Sequence, residues 1–413
     1  MLPRERFASA LNHEEPDRAP VDLGSHPSSG ISAIAYSNLK EYLGISGGHT
    51  RVYDVVQQLA QPEDDIIERF GVDVVDVGRT FNTSDEDWYE MELPNGDPAE
   101  YPQWFRPELD ENGNWKVYSD DGDLIAKMPK NGYFFDQKYF PYVDGYPDNY
   151  DGLDEEMDKV LWQALVHSPW DNMEKDNFWE VLRNRAIKLR EDTDYAIMLT
   201  AGGNLFEWGT FLRRMDNFLM DLVRNQDEVA RLLDELVKSH ISTLEKVTEY
   251  LGDVIDVIRF GDDLGDDSGP IMPPKTYRQL FKPRQKELVS YVKDNSDLNI
   301  LLHSDGSIFE LIPDLIEVGF DAINPLQTNT KNMEPKKLKR EFGQDIAFWG
   351  AGVDTREVLN KASPEKVKRQ VKENLEILTP GGGFIFAAIH NILPEVPPEN
   401  IVAMFEAYEE FYQ

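Results

Sequence analysis

The chain has 413 residues, no cysteine, and 42 Lys plus Arg against 77 Asp plus Glu, giving a net charge of −35. That balance excludes a nucleic-acid partner, whose phosphates require a basic surface, and an anionic membrane would repel the chain for the same reason. The missing thiols exclude disulfides, thiolate nucleophiles and Cys-ligated zinc, so a metal would have to be held by nitrogen and oxygen.

Short β-branched runs ending in Gly, Asp or His alternate with longer amphipathic stretches. Ala19 to Leu23 is the first candidate strand, and apolar residues at three and four spacing predict a helix from Ile31 to Leu43. Val72 to Val77 is the second. The segment 85–170 then breaks the pattern, being rich in aromatic, acidic, Gly, Pro and Asn residues. Hairpin-like pieces such as Trp115 to Gly122, with Asp121-Gly122 as the turn, mark it as a folded insertion over the barrel mouth, because its aromatic density needs burial. Candidate strands resume at Tyr195 to Thr200, Val254 to Phe260, Asn299 to His303, Asp321 to Asn324, Ile346 to Trp349 and Gly383 to Ile389. Helical patterns at Asn225 to Leu251, Pro274 to Val292, Ile308 to Val318 and Pro364 to Leu378 lie between them. Eight near-continuous apolar strands separated by helices predict one α/β domain over residues 1–413, a parallel (β/α)8 TIM barrel with its insertion after the second strand. The N-terminus lacks an apolar stretch of signal-peptide length and no run approaches a membrane span of about 18 residues, so a cytoplasmic protein is expected.

Barrels place their chemistry at the C-terminal ends of the strands, and polar residues gather there in this chain. The first strand leads to Asp22 and His26, the third to Asn204 and Glu207, the fourth to Asp262 and Asp263. The fifth leads to His303 and Asp305 in the tetrapeptide His303-Ser304-Asp305-Gly306, the sixth to Asn324 and Gln327, the eighth to His390. One histidine at a strand end is ordinarily a hydrogen-bonded structural residue. In a closed barrel, however, all eight ends ring one mouth, so His303, Asp305 and His390 can approach a common ion. Two imidazoles and a carboxylate leave positions open for water or substrate, as catalytic zinc does. Glu207 either completes that shell or acts as an acid or base. Asp262 and Asp263 can serve as further ligands, as acceptors for substrate, or as a helix cap. His13, His49, His167 and His240 are expected to be structural.

Several segments resemble the uroporphyrinogen decarboxylase superfamily: the opening Arg4-Glu5-Arg6-Phe7 through Glu15-Pro16-Asp17-Arg18-Ala19-Pro20-Val21, then 205–222, 260–284, 301–327 and 381–408, in order across nearly the whole chain. The resemblance implies a single (β/α)8 barrel and one of two chemistries. True decarboxylases carry an Arg-Gln-Ala-Gly-Arg stretch after the first strand to hold an anionic tetrapyrrole, and here residues 22–30 contain no arginine. An acidic mouth of Asp22, Glu207, Asp262, Asp263 and Asp305 would also oppose a polycarboxylate. The other group, the corrinoid-linked methyltransferases, carries His-x-Cys on the fifth strand and another Cys after the eighth. In this chain His303-Ser304-Asp305 and His390 stand at those places.

Replacing sulfur by harder ligands leaves a more electrophilic ion, suited to polarising oxygen rather than activating a thiol. The resemblance therefore implies zinc, a small methyl ether, aromatic in the favoured case, as methyl donor, and a separate corrinoid protein as partner; a homodimer is compatible with it. His303 and His390, with Glu207 and Asp263, are the expected catalytic groups. Asp22, His26, Asn204, Asp262, Asn324 and Gln327 are expected around the substrate, with Tyr133 to Phe135, Tyr139 and Phe140 either walling the pocket or filling the core. A decarboxylase of a smaller carboxylated substrate and a non-catalytic binding protein are the competing readings.

Overall fold

The computed structural model describes residues 1–165 and 167–413. Seven parallel strands, Val74–Asp76, Ala196–Gly202, Val257–Gly261, Asn299–His303, Ala322–Asn324, Ala347–Trp349 and Phe384–Ile385, pair in chain order. Both open edges meet the same segment: Val21 bridges Phe386 and Asp22 bridges Val74, each in the parallel sense. The Asp22 N–H donates to the Phe386 carbonyl (2.8 Å) and the Asp73 N–H to the Val21 carbonyl (2.8 Å), which closes the ring as a TIM-type barrel. The predicted first strand is thereby reduced to two bridging residues. Pro20, with no N–H to give a ladder, helps to explain its brevity.

Along each strand alternate residues face the axis. Val74, Ala196, Met198, Val257, Leu301, Ala322, Ala347, Trp349, Ile385 and Ala387 form a buried inner cluster, joined by Phe7 and Leu11 from the N-terminal helix Pro3–Leu11. Arg6 and Arg18 both pair with the fully buried carboxylate of Asp73, at 2.6 and 2.8 Å, tying that helix to the start of the strand Val74–Asp76. The outer helices form where periodicity predicts them. In Pro364–Leu378, Val367, Val371, Leu375 and Leu378 are buried at helical spacing behind a proline in the first turn.

Two predicted elements differ. The helix expected from Pro274 to Val292 is two helices, Pro274–Leu280 and Lys282–Asn295, meeting at Phe281; Pro283 has no N–H to continue the first ladder and begins the second helix instead. The strand expected from Gly383 to Ile389 ends at Ile385, with only a bridge at Phe386, so His390 lies on a loop five residues beyond the regular strand.

The segment 85–170 holds a hairpin, Trp88–Glu92 with Pro98–Pro102, and a four-stranded antiparallel sheet of Glu108–Leu109, Trp115–Tyr118, Leu124–Met128 and Asp136–Gln137. The turn at Asp121-Gly122 forms as expected, with Gly122 at φ +88°. This segment joins the barrel by its backbone: the Tyr142 N–H donates to the Leu212 carbonyl (2.8 Å), and Arg213 Nη1 donates to the carbonyls of Tyr142 and Val143. Among the described residues no helix is long and apolar enough to cross a membrane.

Candidate metal and substrate site

The two-residue period that buries Leu301 against the axis also brings His303 and Asp305 inward, one step and two steps towards the mouth. The loop after Phe386 brings His390 over them. Ligand atoms of His303, Asp305 and His390 all lie within 4.8 Å of one another. His390 Nε2 is 3.7 Å from Asp305 Oδ2, and the two imidazole centroids are 5.8 Å apart. Tetrahedral bonds of about 2.1 Å put donor atoms roughly 3.4 Å apart, so small side-chain rotations close this set on an ion.

Hydrogen bonds behind the imidazoles choose their tautomers. Asn324 Nδ2 donates to the Trp349 carbonyl (3.2 Å), which turns its Oδ1 to His303 Nδ1 at 2.9 Å. That nitrogen must carry the proton, leaving the Nε2 lone pair free to bind. His390 is set the same way: its Nδ1 lies 3.0 Å from Asn391 Oδ1, while Asn391 Nδ2 donates to Gln57 Oε1 (3.0 Å) and Gln57 Nε2 to Asp54 (3.1 Å). Burial, reinforced by the nearby Arg259 charge, holds His303 at about 3, far below the usual imidazole value, and so neutral. With Nδ1 engaged in each ring, Nε2 is the nitrogen that faces the site.

The carboxylates divide into two groups. Asp263 stays at the mouth: its Oδ1 accepts the Asp305 N–H (3.0 Å) and lies 3.6 Å from His303 Nε2. Asp262 is fully buried and accepts from the backbone N–H groups of Leu205 and Glu207 and from Gln285 Nε2. Its lone pairs hold the start of the helix Phe206–Arg213. Asp22 is also internal, accepting from Trp349 Nε1 (2.8 Å) and the Ser25 N–H, and its carboxyl is pushed up to about 6 by burial. His26 is buried beside it, edge-on to Trp349, with neither ring nitrogen hydrogen-bonded.

Glu207 is not among the three clustered donors. Its carboxyl accepts from Asn204 Nδ2, and burial together with the charges of Asp263 and Asp262 holds its acidity far weaker than a free carboxyl. Both effects favour its protonated form. Gln327 Oε1 accepts the Gly306 N–H (2.6 Å), so it fixes the turn after His303. Of the histidines expected to be structural, His13, His49 and His240 each hold a hydrogen bond away from the triad.

Sequence reading assigned no role to Arg259 or Ser28. Arg259 is legible in hindsight, because it lies between Val257 and Gly261 on the inward period of its strand. Its Nη2 donates to Ser28 Oγ (3.1 Å), which is 3.4 Å from His303 Nε2. A cleft is lined by Tyr53, Asp76, Phe81, Trp88, Trp104 and His167, among others. Its aromatic walls therefore differ from the expected ones, since Phe135 packs in the core against Phe105 and Phe134 is largely exposed.

The uroporphyrinogen decarboxylase family model matches residues 206–411. That segment belongs to the uroporphyrinogen decarboxylase family. The match holds all three clustered donors, whereas Asn204, His26 and most of the aromatic cleft lie before it. A uroporphyrinogen decarboxylase of Legionella pneumophila (strain Paris) is 24% identical over 46% of this chain and 51% of its own. Methylcobamide:CoM methyltransferase MtaA of Methanosarcina barkeri is 25% identical over 48% of this chain and 53% of its own. The chain spans about half the length of the curated relatives it matches. In fold, a methyltransferase from Methanosarcina mazei superposes over 100% of both chains with a TM-score of 0.59 at 19% identity. The relatives thus include both a decarboxylase and a methyltransferase, and the likeness of fold extends over the complete chain.

Proposed function

We propose that this chain is a methyltransferase that cleaves a small, aromatic methyl ether and passes the methyl group to Co(I) of a separate corrinoid protein docked at the barrel mouth. The observation that carries the reading is the convergence of His303, Asp305 and His390, with both imidazole Nδ1 protons engaged by asparagines. The donor set fits zinc: two neutral nitrogens and one carboxylate, with room for a further oxygen. Zinc held there would supply Lewis acidity to the ether oxygen, whose departure as an alkoxide or phenoxide is the hard part of the reaction.

The chain's own residues do the rest. Asn324 and Asn391 hold the two imidazoles in their binding tautomer. Glu207, whose protonated form burial favours, is the acid that can neutralise the leaving oxygen. Asp263 fixes the backbone of Asp305 and offers a further carboxylate at the mouth. The likeness to the MtaA methyltransferase supports methyl transfer, while the three harder ligands favour an oxygen-bound over a sulfur-bound methyl group.

The test is a methyl-transfer assay with methoxylated aromatics and cob(I)alamin, read by the absorbance change on methylcobalamin formation, beside metal analysis of the same preparation. Methylcobalamin formed only by metal-containing protein supports the reading. Carbon dioxide released from a carboxylated substrate by metal-free protein would replace it with the decarboxylase alternative.

A further inference from the structure

Arg259 is the single Lys or Arg in the seven barrel strands. It faces inward between Val257 and the mouth, and among the described residues no carboxylate lies within ion-pair distance of it. Glu207, Asp263 and Asp305 act on it through space, yet its Nε is buried without an acceptor. A half-buried cation with a buried, idle donor is expensive to keep in a fold unless something arrives to pair with it.

Two more idle groups lie beside it. Thr200 is the in-register partner of Arg259 on the neighbouring strand, and its Oγ1 is buried with no hydrogen bond. Tyr53, which lines the aromatic cleft, has a buried Oη with no partner and feels the Arg259 charge. Three groups able to donate a proton, one of them cationic, are therefore unmet together, and Tyr53 among them lines the cleft. Hydroxyls and a guanidinium together suit an acceptor with two oxygens and a negative charge.

We propose that Arg259, Thr200 and Tyr53 form a recognition floor for one carboxylate of the ligand, whose apolar body lies against the aromatic walls of the cleft. The ligand is then a small monoacid, and Arg259 is a specificity-determining residue. As a description of the methyl donor this rests on the function proposed above; acid binding itself does not. A polyacid is disfavoured, because the carboxylates of Asp263 and Asp305 already act on the one cation.

Benzoate and its uncharged isostere benzamide separate the possibilities by calorimetric titration of the full chain, with and without EDTA. Benzoate is expected to bind about tenfold or more tighter than benzamide in both conditions. Arg259→Gln should bring the two within about twofold, and Thr200→Val or Tyr53→Phe should weaken benzoate several-fold while leaving benzamide unchanged. Equal binding of the two probes, no binding of either, or an undiminished preference in Arg259→Gln would overturn the proposal. So would benzoate binding abolished by EDTA, which would put the carboxylate on the metal. If Arg259→Gln fails to fold by circular dichroism, the Thr200 and Tyr53 variants decide alone, and an unchanged benzoate affinity in both overturns it. A protein that prefers benzoate in this way but forms no methylcobalamin would keep the acid site and lose the methyltransferase reading.

Discussion

Asn324 Oδ1 lies 2.9 Å from His303 Nδ1, and the same amide donates its Nδ2 to the Trp349 carbonyl. This pairing commits the imidazole to one tautomer before any ion arrives. Asn324→Ala and Asn391→Ala should each weaken zinc binding by about 10- to 100-fold, with little change in folding. Competition against a chromophoric chelator measures it, and unchanged affinity in both would show that the asparagines do not tune the donors.

Removing a ligand should act more sharply than removing its support. His303→Ala, His390→Ala and Asp305→Ala are each expected to lower bound metal by on the order of tenfold or more and to abolish methyl transfer. Asp305→Cys should retain metal, since thiolate is a good zinc ligand, but lose activity on ethers as the ion becomes less electrophilic. Elemental analysis of the four proteins provides the comparison.

Glu207 is expected to act as a proton donor rather than a ligand. Glu207→Gln should lower kcat by about 10²–10⁴ while leaving the metal content intact. Because burial and neighbouring carboxylates raise the Glu207 pKa, wild-type kcat should fall as pH rises through that raised value and the acid is lost. The glutamine variant should show no such alkaline limb. Loss of metal in Glu207→Gln would return this residue to the ligand set.

Asp262 makes a stability prediction. Its folded value is pushed up to about 7 by burial, while an unfolded Asp sits near about 3.9. Between those values the folded chain holds a proton that the unfolded chain has released, so stability from this group is complete below about pH 4 and is lost as pH rises towards about 7. Asp262→Asn should flatten that part of the dependence of Tm on pH, measured on chelator-treated protein. An unchanged slope would assign it elsewhere.

Gly306 tests the turn that follows His303. Its φ is +85°, and a Cβ there would come within 2.2 Å of the Gly265 backbone. Gly306→Ala is expected to cost about 2–4 kcal/mol, from left-handed strain plus a backbone collision. Denaturant unfolding of the variant checks the figure, and a loss below about 1 kcal/mol would mean that the loop around Gly265 yields.

The sequence by itself determined the barrel and placed His303, Asp305 and His390 at one mouth. Apolar runs with a period of two and helices with a period near 3.6 are local signals, and barrel closure turns the ends of distant strands into neighbours. His303, Asp305 and His390 could therefore be grouped although 87 residues separate the first from the last. Tertiary structure alone decided what each polar side chain does. Asp262 and Asp263 are adjacent in sequence, yet one caps a helix inside the protein and the other remains at the mouth, because successive side chains diverge as the chain leaves its strand. The pairing of His390 with Asn391, the isolation of Glu207 and the unmet donors of Arg259, Thr200 and Tyr53 likewise depend on partners from remote segments. Residue type and periodicity set which way a side chain points, but burial and hydrogen bonding are properties of the neighbours that folding brings to it.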